Sequence, residues 1–384
     1  MARFQNRFLL MPLLLLGAAF LIEKIFFIPW VRERTQPWQK IEPTFYKSRE
    51  ALFKQLLRDY PKRVARNERL GLVLGTSRAG DFNARDIARL LPGSYAYNFS
   101  APAAGHSYHY YWLDKIIRAG MKPSFVLIET DPMLFSPFSE RYALSYSYDM
   151  GFMMRNTRVN RPRPRDPASI REVFAVQAGG FSVDETETFL LKRMFALYRY
   201  PPNLQHFWKN RRKQKSVGFT GHEIRRWVSK NMKRLNRENL GGIANPLMIQ
   251  ESPEKIAKAA RAEGKKHLEN YRPSLTQAHF FNRILDELAR RRVPTVLYWP
   301  MAPEAYRKIV DRLGLTRKLQ DVIRERLAFL RKKYPDAIII LKDPQHEEKL
   351  TCRSFIDVHH LSGKCYPRLT EYLLKDLRRT FPAR

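Results

Sequence analysis

Short apolar runs alternate with amphipathic stretches along this chain. Leu70 to Leu74, Tyr95 to Ser100, Phe125 to Glu129, Pro294 to Trp299 and Ala337 to Leu341 predict strands. Apolar positions at helical spacing predict helices over Arg85 to Leu91, Tyr110 to Ala119, Gln277 to Arg291, Arg317 to Tyr334 and Arg368 to Thr380. Strands and helices in this order imply a parallel sheet covered by helices on both faces. Ligands of such sheets bind beyond the C-terminal strand ends. Ser77, Ser100 and Asp131 each lie just past one of them. The pattern lapses between Phe138 and Arg272, a stretch rich in Arg, Lys, Pro and aromatics.

Before the first strand the pattern differs. Phe8 to Ile22 is uncharged and leucine-rich, Glu23 and Lys24 interrupt it, and Ile25 to Val31 resumes it. A span needs about 20 apolar residues, and charges near its end can snorkel. One N-terminal membrane anchor is expected, with Trp30 at the interface. A signal peptide cut near Leu16-Gly17-Ala18-Ala19 is the alternative. Arg3 and Arg7 precede the span, but Lys24, Arg32, Arg34 and Lys40 follow it, which mildly favours a cytoplasmic body. Gln36 to Asn67 reads as a stalk and a first helix.

Charge narrows the neighbours. The formal net charge is +33, so an anionic partner is expected: a membrane surface, an anionic polymer or nucleic acid. Lys209 to Arg237 holds eleven Lys or Arg and one acid, Glu223, interleaved with Trp208, Phe219 and Trp227. Beside an anchor, lipid headgroups or an anionic glycan are the simpler ligand, and nucleic acid is the weaker option. A solvated basic face would need no ligand. Arg161 to Arg165 reads as an exposed extended loop. No phosphate-binding glycine loop or zinc spacing is present, and no cofactor or metal is expected.

The candidate chemistry joins two distant segments. Ser77 follows a strand and Gly75-Thr76, where glycine permits a tight turn. It is either an exposed nucleophile or the cap of the next helix. Asp357-Val358-His359-His360 offers a base and an orienting carboxylate. His360 is the preferred base, with His359 as an alternative. Asn98 to Gly105 could turn backbone N–H groups toward an oxyanion, or be an ordinary turn. Glu129-Thr130-Asp131-Pro132 could line the same cleft, or Asp131 could cap a helix. Cys352 and Cys365 bracket the Asp357/His360 pair and could form a disulfide in an oxidising compartment, or remain two thiols.

Gly-Thr-Ser77 after the first strand, Asn98-Phe99-Ser100 after the second, Glu129-Thr130-Asp131-Pro132 after the third and Asp357-x-x-His360 before the last helix together resemble the SGNH (GDSL-like) hydrolase superfamily. The likeness covers roughly residues 69–135 and 280–380 and is strongest to its membrane-anchored bacterial branch, the DltD, AlgJ and AlgX-type proteins. It implies a flavodoxin-like three-layer α/β/α fold. Ser77 would attack an ester carbonyl, activated by His360 and Asp357, with Ser100 as the small residue of the oxyanion site. The family's third donor is an Asn after the third strand, where this chain has Asp131. A carboxylate repels an oxyanion, so the departure fits transfer to a specialised substrate or a weakened enzyme. The resemblance also implies an extracytoplasmic body and a membrane-bound O-acyltransferase as donor partner.

The expected organisation is an anchor over 1–32, a stalk over 33–68, half-domains over 69–137 and 277–384, and a basic, aromatic-rich insertion over 138–276. The expected function is a serine O-acyltransferase or esterase on O-acyl groups of an envelope glycan or lipid. The alternative is a non-catalytic protein of the same fold that holds an anionic polymer or membrane surface.

Overall fold

The computed structural model describes residues 2–28, 31, 41–158, 169–176, 179–201, 230–243, 252–345, 350, 352 and 354–381. Its centre is a parallel sheet of five strands: β1 (Arg69–Leu74), β2 (Ser94–Asn98), β3 (Phe125–Glu129), β4 (Thr295–Tyr298) and β5 (Ile339–Lys342). Their order is β2-β1-β3-β4-β5, and every neighbouring pair is parallel. This is the flavodoxin-like doubly wound order, with its switch point between β1 and β3.

Side-chain alternation divides the core in two. Leu70, Leu72, Leu74, Tyr95, Tyr97, Val126, Ile128 and Leu297 point to one face. Val73, Ala96, Phe125, Leu127, Val296 and Tyr298 point to the other. The first face packs on helices Ile41–Ala65, His106–Arg118, Leu275–Arg290 and Leu315–Lys333. Ala84–Leu90 and Tyr366–Thr380 cover the second. Strands buried on both faces read as continuous apolar runs, which is why they stand out in the sequence.

The observed elements depart from expectation mostly at their ends. The helix predicted from Tyr110 begins at His106, because the polar-aromatic first turn His106-Ser107-Tyr108-His109 is itself buried. The helix Glu304–Arg312 lies where none was predicted. Described parts of residues 138–276 are largely helical and supply Tyr148, Phe152, Met153, Phe181 and Phe189 to the first-face core. Their helices include several of six or seven residues, too short to display a period. Most of the basic stretch, with Trp208, Phe219 and Trp227, lies outside the described residues, as do Arg161 to Arg165.

A buried arginine joins the first helix to the sheet. Arg49 has no exposed surface, and it donates to the Ser100 carbonyl (2.8 Å) and the Gly241 carbonyl (2.9 Å). Burial lowers its pKa to about 10, which leaves it charged at neutral pH. Gly241 has φ +91°, and a Cβ there would meet the Asn98 carbonyl at 2.5 Å, so only glycine fits beside the end of β2. Replacing Arg49 by Leu strands two buried carbonyls, each worth about 1–3 kcal/mol. Arg49→Leu is expected to lower the urea-unfolding free energy by roughly 2–4 kcal/mol; a midpoint equal to wild type would contradict this role.

Candidate active site

The turn after β1 is built to present Ser77. Thr76, not Ser77, caps the short 3-10 turn Ser77–Ala79: its Oγ1 accepts the Arg78 N–H at 3.2 Å. Ser77 is therefore the first residue of that turn, and its side chain is left for other work. Gly75 is needed behind it, since a Cβ there would sit 2.4 Å from the Ala79 Cβ and 2.7 Å from a Glu129 oxygen.

The late loop meets this turn. The Ser77 Oγ lies 2.8 Å from His360 Nε2, and His360 Nδ1 lies 2.9 Å from both Asp357 oxygens. The backbone N–H groups of His359 and His360 also donate to Asp357 Oδ1, each at 2.8 Å. The ionised Asp357 carboxylate can only accept, so it sets the tautomer: Nδ1 carries the proton toward Asp357, and the Nε2 lone pair faces the serine. Burial acts to raise the Asp357 pKa, but the His360 ring and these N–H groups outweigh it and hold the carboxyl well below its usual range. Burial likewise acts to lower His360, but Asp357, helped by Asp81, lifts it above the ordinary 6.5.

His359 points elsewhere. Its ring packs edge-on to Tyr306 at 5.5 Å between centroids. Burial, with the charges of Arg78 and His360, lowers its pKa to about 4. Cys352 and Cys365 are bonded, with Cα atoms 5.5 Å apart. The bond ties the approach to the Asp357/His360 loop to the start of the last helix.

Asp131 is committed to an ion pair. Arg78 Nη1 lies 2.5 Å from Asp131 Oδ2, and Arg78 Nη2 lies 2.7 Å from Glu129 Oε1. Asp131 Oδ1 also accepts the Leu134 N–H at 3.1 Å and so caps the turn Pro132–Phe135. Glu129 is fully buried and takes two further bonds from Thr76, N–H and hydroxyl, at 2.8 Å each. Burial raises the Glu129 pKa against the pull of Arg78. Burial acts to lower Arg78 as well, yet Asp131 and Glu129 raise it, so the guanidinium stays charged.

The loop after β2 forms a turn in which three backbone N–H groups have partners inside the protein. The Ser100 N–H donates to Asn98 Oδ1 at 3.0 Å, the Ala101 N–H to the Gly75 carbonyl at 3.1 Å, and the Ala104 N–H to the Ala101 carbonyl at 3.2 Å. These backbone donors are used inside the protein. What Ser100 leaves unpaired among the described residues is its buried hydroxyl. Asn98 positions the site instead, its Nδ2 bonding the Ala79 carbonyl at 2.8 Å.

Arg49 and Arg78 support the site and went unmarked in the sequence, and Glu129, read there only as part of the cleft-lining Glu129-Thr130-Asp131-Pro132 run, is the buried partner of Arg78. The available signal was a glutamate closing the apolar run Phe125 to Ile128, which demands a buried cation. A cavity of about 30 Å³ lies beside Arg78, Asp131, Trp299 and Tyr306. Through Ala302, Arg307 and Gln345 it adjoins an open cleft of about 690 Å³ that reaches Ser354 and Phe355, next to Asp357. No group of three or more metal-ligating side chains occurs among the described residues.

Fold and site thus define a doubly wound α/β protein with a hydrogen-bonded Ser–His–Asp relay at its strand ends, behind an apolar N-terminal helix. The chain matches the family DUF1574, described as a protein of unknown function, over residues 3–377, and it belongs to that family. No curated protein matches it.

Removing Arg78 leaves two buried carboxylates facing each other, a change that costs about 3–5 kcal/mol when one member of a buried pair is lost. Arg78→Met is expected to lose stability in that range, and adding Glu129→Gln to recover part of it. Thermal or urea unfolding of the single and double variants checks this; no recovery would mean Arg78 acts mainly through packing.

Proposed function

We propose that the chain is a membrane-anchored SGNH-type serine enzyme, an O-acyltransferase or esterase acting on O-acyl groups of a cell-envelope glycan or lipid. The observation that carries this reading is the Asp357–His360–Ser77 relay, with both hydrogen bonds made. The motif order, the sheet order and the apolar helix support it.

The chemistry follows from the relay. Ser77 Oγ bonds to the acyl carbon while its proton passes to His360 Nε2, and the carbonyl electron pair moves onto oxygen. Collapse of this tetrahedral species expels the donor's alkoxide, which takes the proton from His360 and leaves an acyl-Ser77. A sugar hydroxyl or water then gives its proton to His360 and attacks the acyl carbon. This second tetrahedral species collapses, the acyl–Oγ bond breaks, and Ser77 Oγ takes the proton back from His360. The Ser77 N–H opens its turn and has no intrahelical partner, so it is a candidate oxyanion donor. Arg78 cancels the Asp131 charge, which removes the repulsion that an unpaired carboxylate would exert.

The bonded Cys352–Cys365 pair supports a body on the oxidising, extracytoplasmic side of the cytoplasmic membrane. There a membrane-bound O-acyltransferase is the donor partner that the family resemblance implies. The second reading, a non-catalytic holder of an anionic polymer or membrane surface, draws on the +33 charge and on Asp131 in place of the family's Asn.

A base must be neutral to accept a proton, so turnover depends on the unprotonated fraction of His360. Its pKa is raised, so ester hydrolysis is expected to rise with pH through an inflection above 6.5. Asp357→Asn removes the group that raises it, leaving burial to lower it, so the inflection moves down. The maximal rate of this variant should fall by about 10³- to 10⁴-fold, because the tautomer is lost. The test is hydrolysis of a nitrophenyl acyl ester by wild type, Asp357→Asn and Ser77→Ala across pH. Equal rates in all three would favour the binding reading.

A further inference from the structure

The apolar helix is fastened to the globular body. Glu23, in the last turn of this helix (Ala2–Lys24), is 8% exposed and accepts the Leu197 N–H at 2.6 Å. Lys24 Nζ lies 2.8 Å from Glu23, bonds the Met194 carbonyl, and sits 3.7 Å from the Phe20 ring centroid and 5.2 Å from that of Phe195. Phe20 packs edge-on to Phe195 at 5.9 Å, and Phe27 to Tyr200 at 6.1 Å. Leu10–Phe27 is long and apolar enough to cross a membrane. If it does, whatever grips Glu23 and Lys24 sits at the membrane edge. In the gripping segment Met194, Leu197 and Tyr198 are 54%, 39% and 48% exposed, and Lys192, Arg193 and Arg199 flank them. Apolar tips with an aromatic residue and basic flanks suit a lipid interface.

A second set of contacts tells which end of the sheet the segment adjoins. Tyr200 stacks on Tyr146 at 6.2 Å, and Tyr146 lies 6.3 Å from Tyr46. The Tyr46 hydroxyl donates to the Pro102 carbonyl at 3.0 Å, and Arg49 binds Ser100. Ser100 and Pro102 follow the C-terminal end of β2. Helix Ile41–Ala65 starts there and runs to the opposite edge, where the Tyr60 hydroxyl accepts the Lys122 N–H just ahead of β3. The helix end therefore meets the body at the strand C-terminal edge, the edge that carries Ser77.

We propose that the Met194–Tyr200 segment and the last turn of the apolar helix form one membrane seat, which rests on lipid and turns the strand C-terminal edge toward the bilayer. The partner is the lipid surface itself, its headgroups meeting the basic flanks and its upper acyl region meeting Met194, Leu197 and Tyr198. A molecule reaching Ser77 would then arrive from the membrane plane. The proposal stands on the anchor contacts and does not require Ser77 to be active.

The test uses the full chain in nanodiscs of phosphatidylcholine and phosphatidylglycerol carrying a spin-labelled lipid. An environment-sensitive fluorophore is attached to Tyr198→Cys or, at the opposite sheet edge, to Lys122→Cys. Both positions are exposed, so the label perturbs neither core. The expected result is a blue-shifted emission at position 198, with several-fold stronger quenching by the spin-labelled lipid there than at 122. Equal quenching at both positions, none at either, or stronger quenching at 122 would overturn the proposal.

Discussion

The buried ion pairs from Arg78 to Glu129 and Asp131 hold the site together. They bind the turn after β1 to the end of β3 across the switch point of the sheet. Thr76 adds two bonds to Glu129, so the residues on both sides of Ser77 are fixed by one carboxylate. A serine so held needs little further ordering to meet the His360 ring. The same pairs match the charge that Asp131 brings to this end of the sheet.

Chain order and architecture were legible because a doubly buried parallel strand is a continuous apolar run, and all five runs became strands of one sheet. Ser77, His360 and Asp357 were legible because an exposed strand-end serine and a late Asp-x-x-His are unusual together, and the fold joins them across 283 residues of sequence. Other features were not. Arg78 carries no periodic signal, and its two partners lie more than fifty residues away, so its role appears only in three dimensions. The donor count at Ser100 was also invisible, because a turn's backbone N–H groups can face inward or outward on the same sequence. The aromatics of 138–201 carried no readable pattern, since several of their helices have only six or seven residues, yet Tyr148, Phe152, Phe181 and Phe189 pack in the core.

The late loop gains its shape from two constraints at different ranges. Asp357 gathers two N–H groups and one ring nitrogen within its own turn. The Cys352–Cys365 bond closes the surrounding segment onto the last helix. Each restricts a different motion of His360: the first its ring rotation, the second the drift of the loop away from β1. The helix Ile41–Ala65 holds this edge of the sheet through Arg49 and Tyr46, and Tyr46 leads through Tyr146 and Tyr200 to Phe27 at the end of the apolar segment. The site, the start of helix Ile41–Ala65 and the end of the apolar helix thus share one end of the molecule.

The most direct test is whether Ser77 is chemically activated. Purified full-length protein treated with a fluorophosphonate probe should form a covalent adduct that mass spectrometry locates on Ser77, and His360→Ala should abolish it. A folded wild type that takes up no probe, or that labels equally well without His360, would contradict the account.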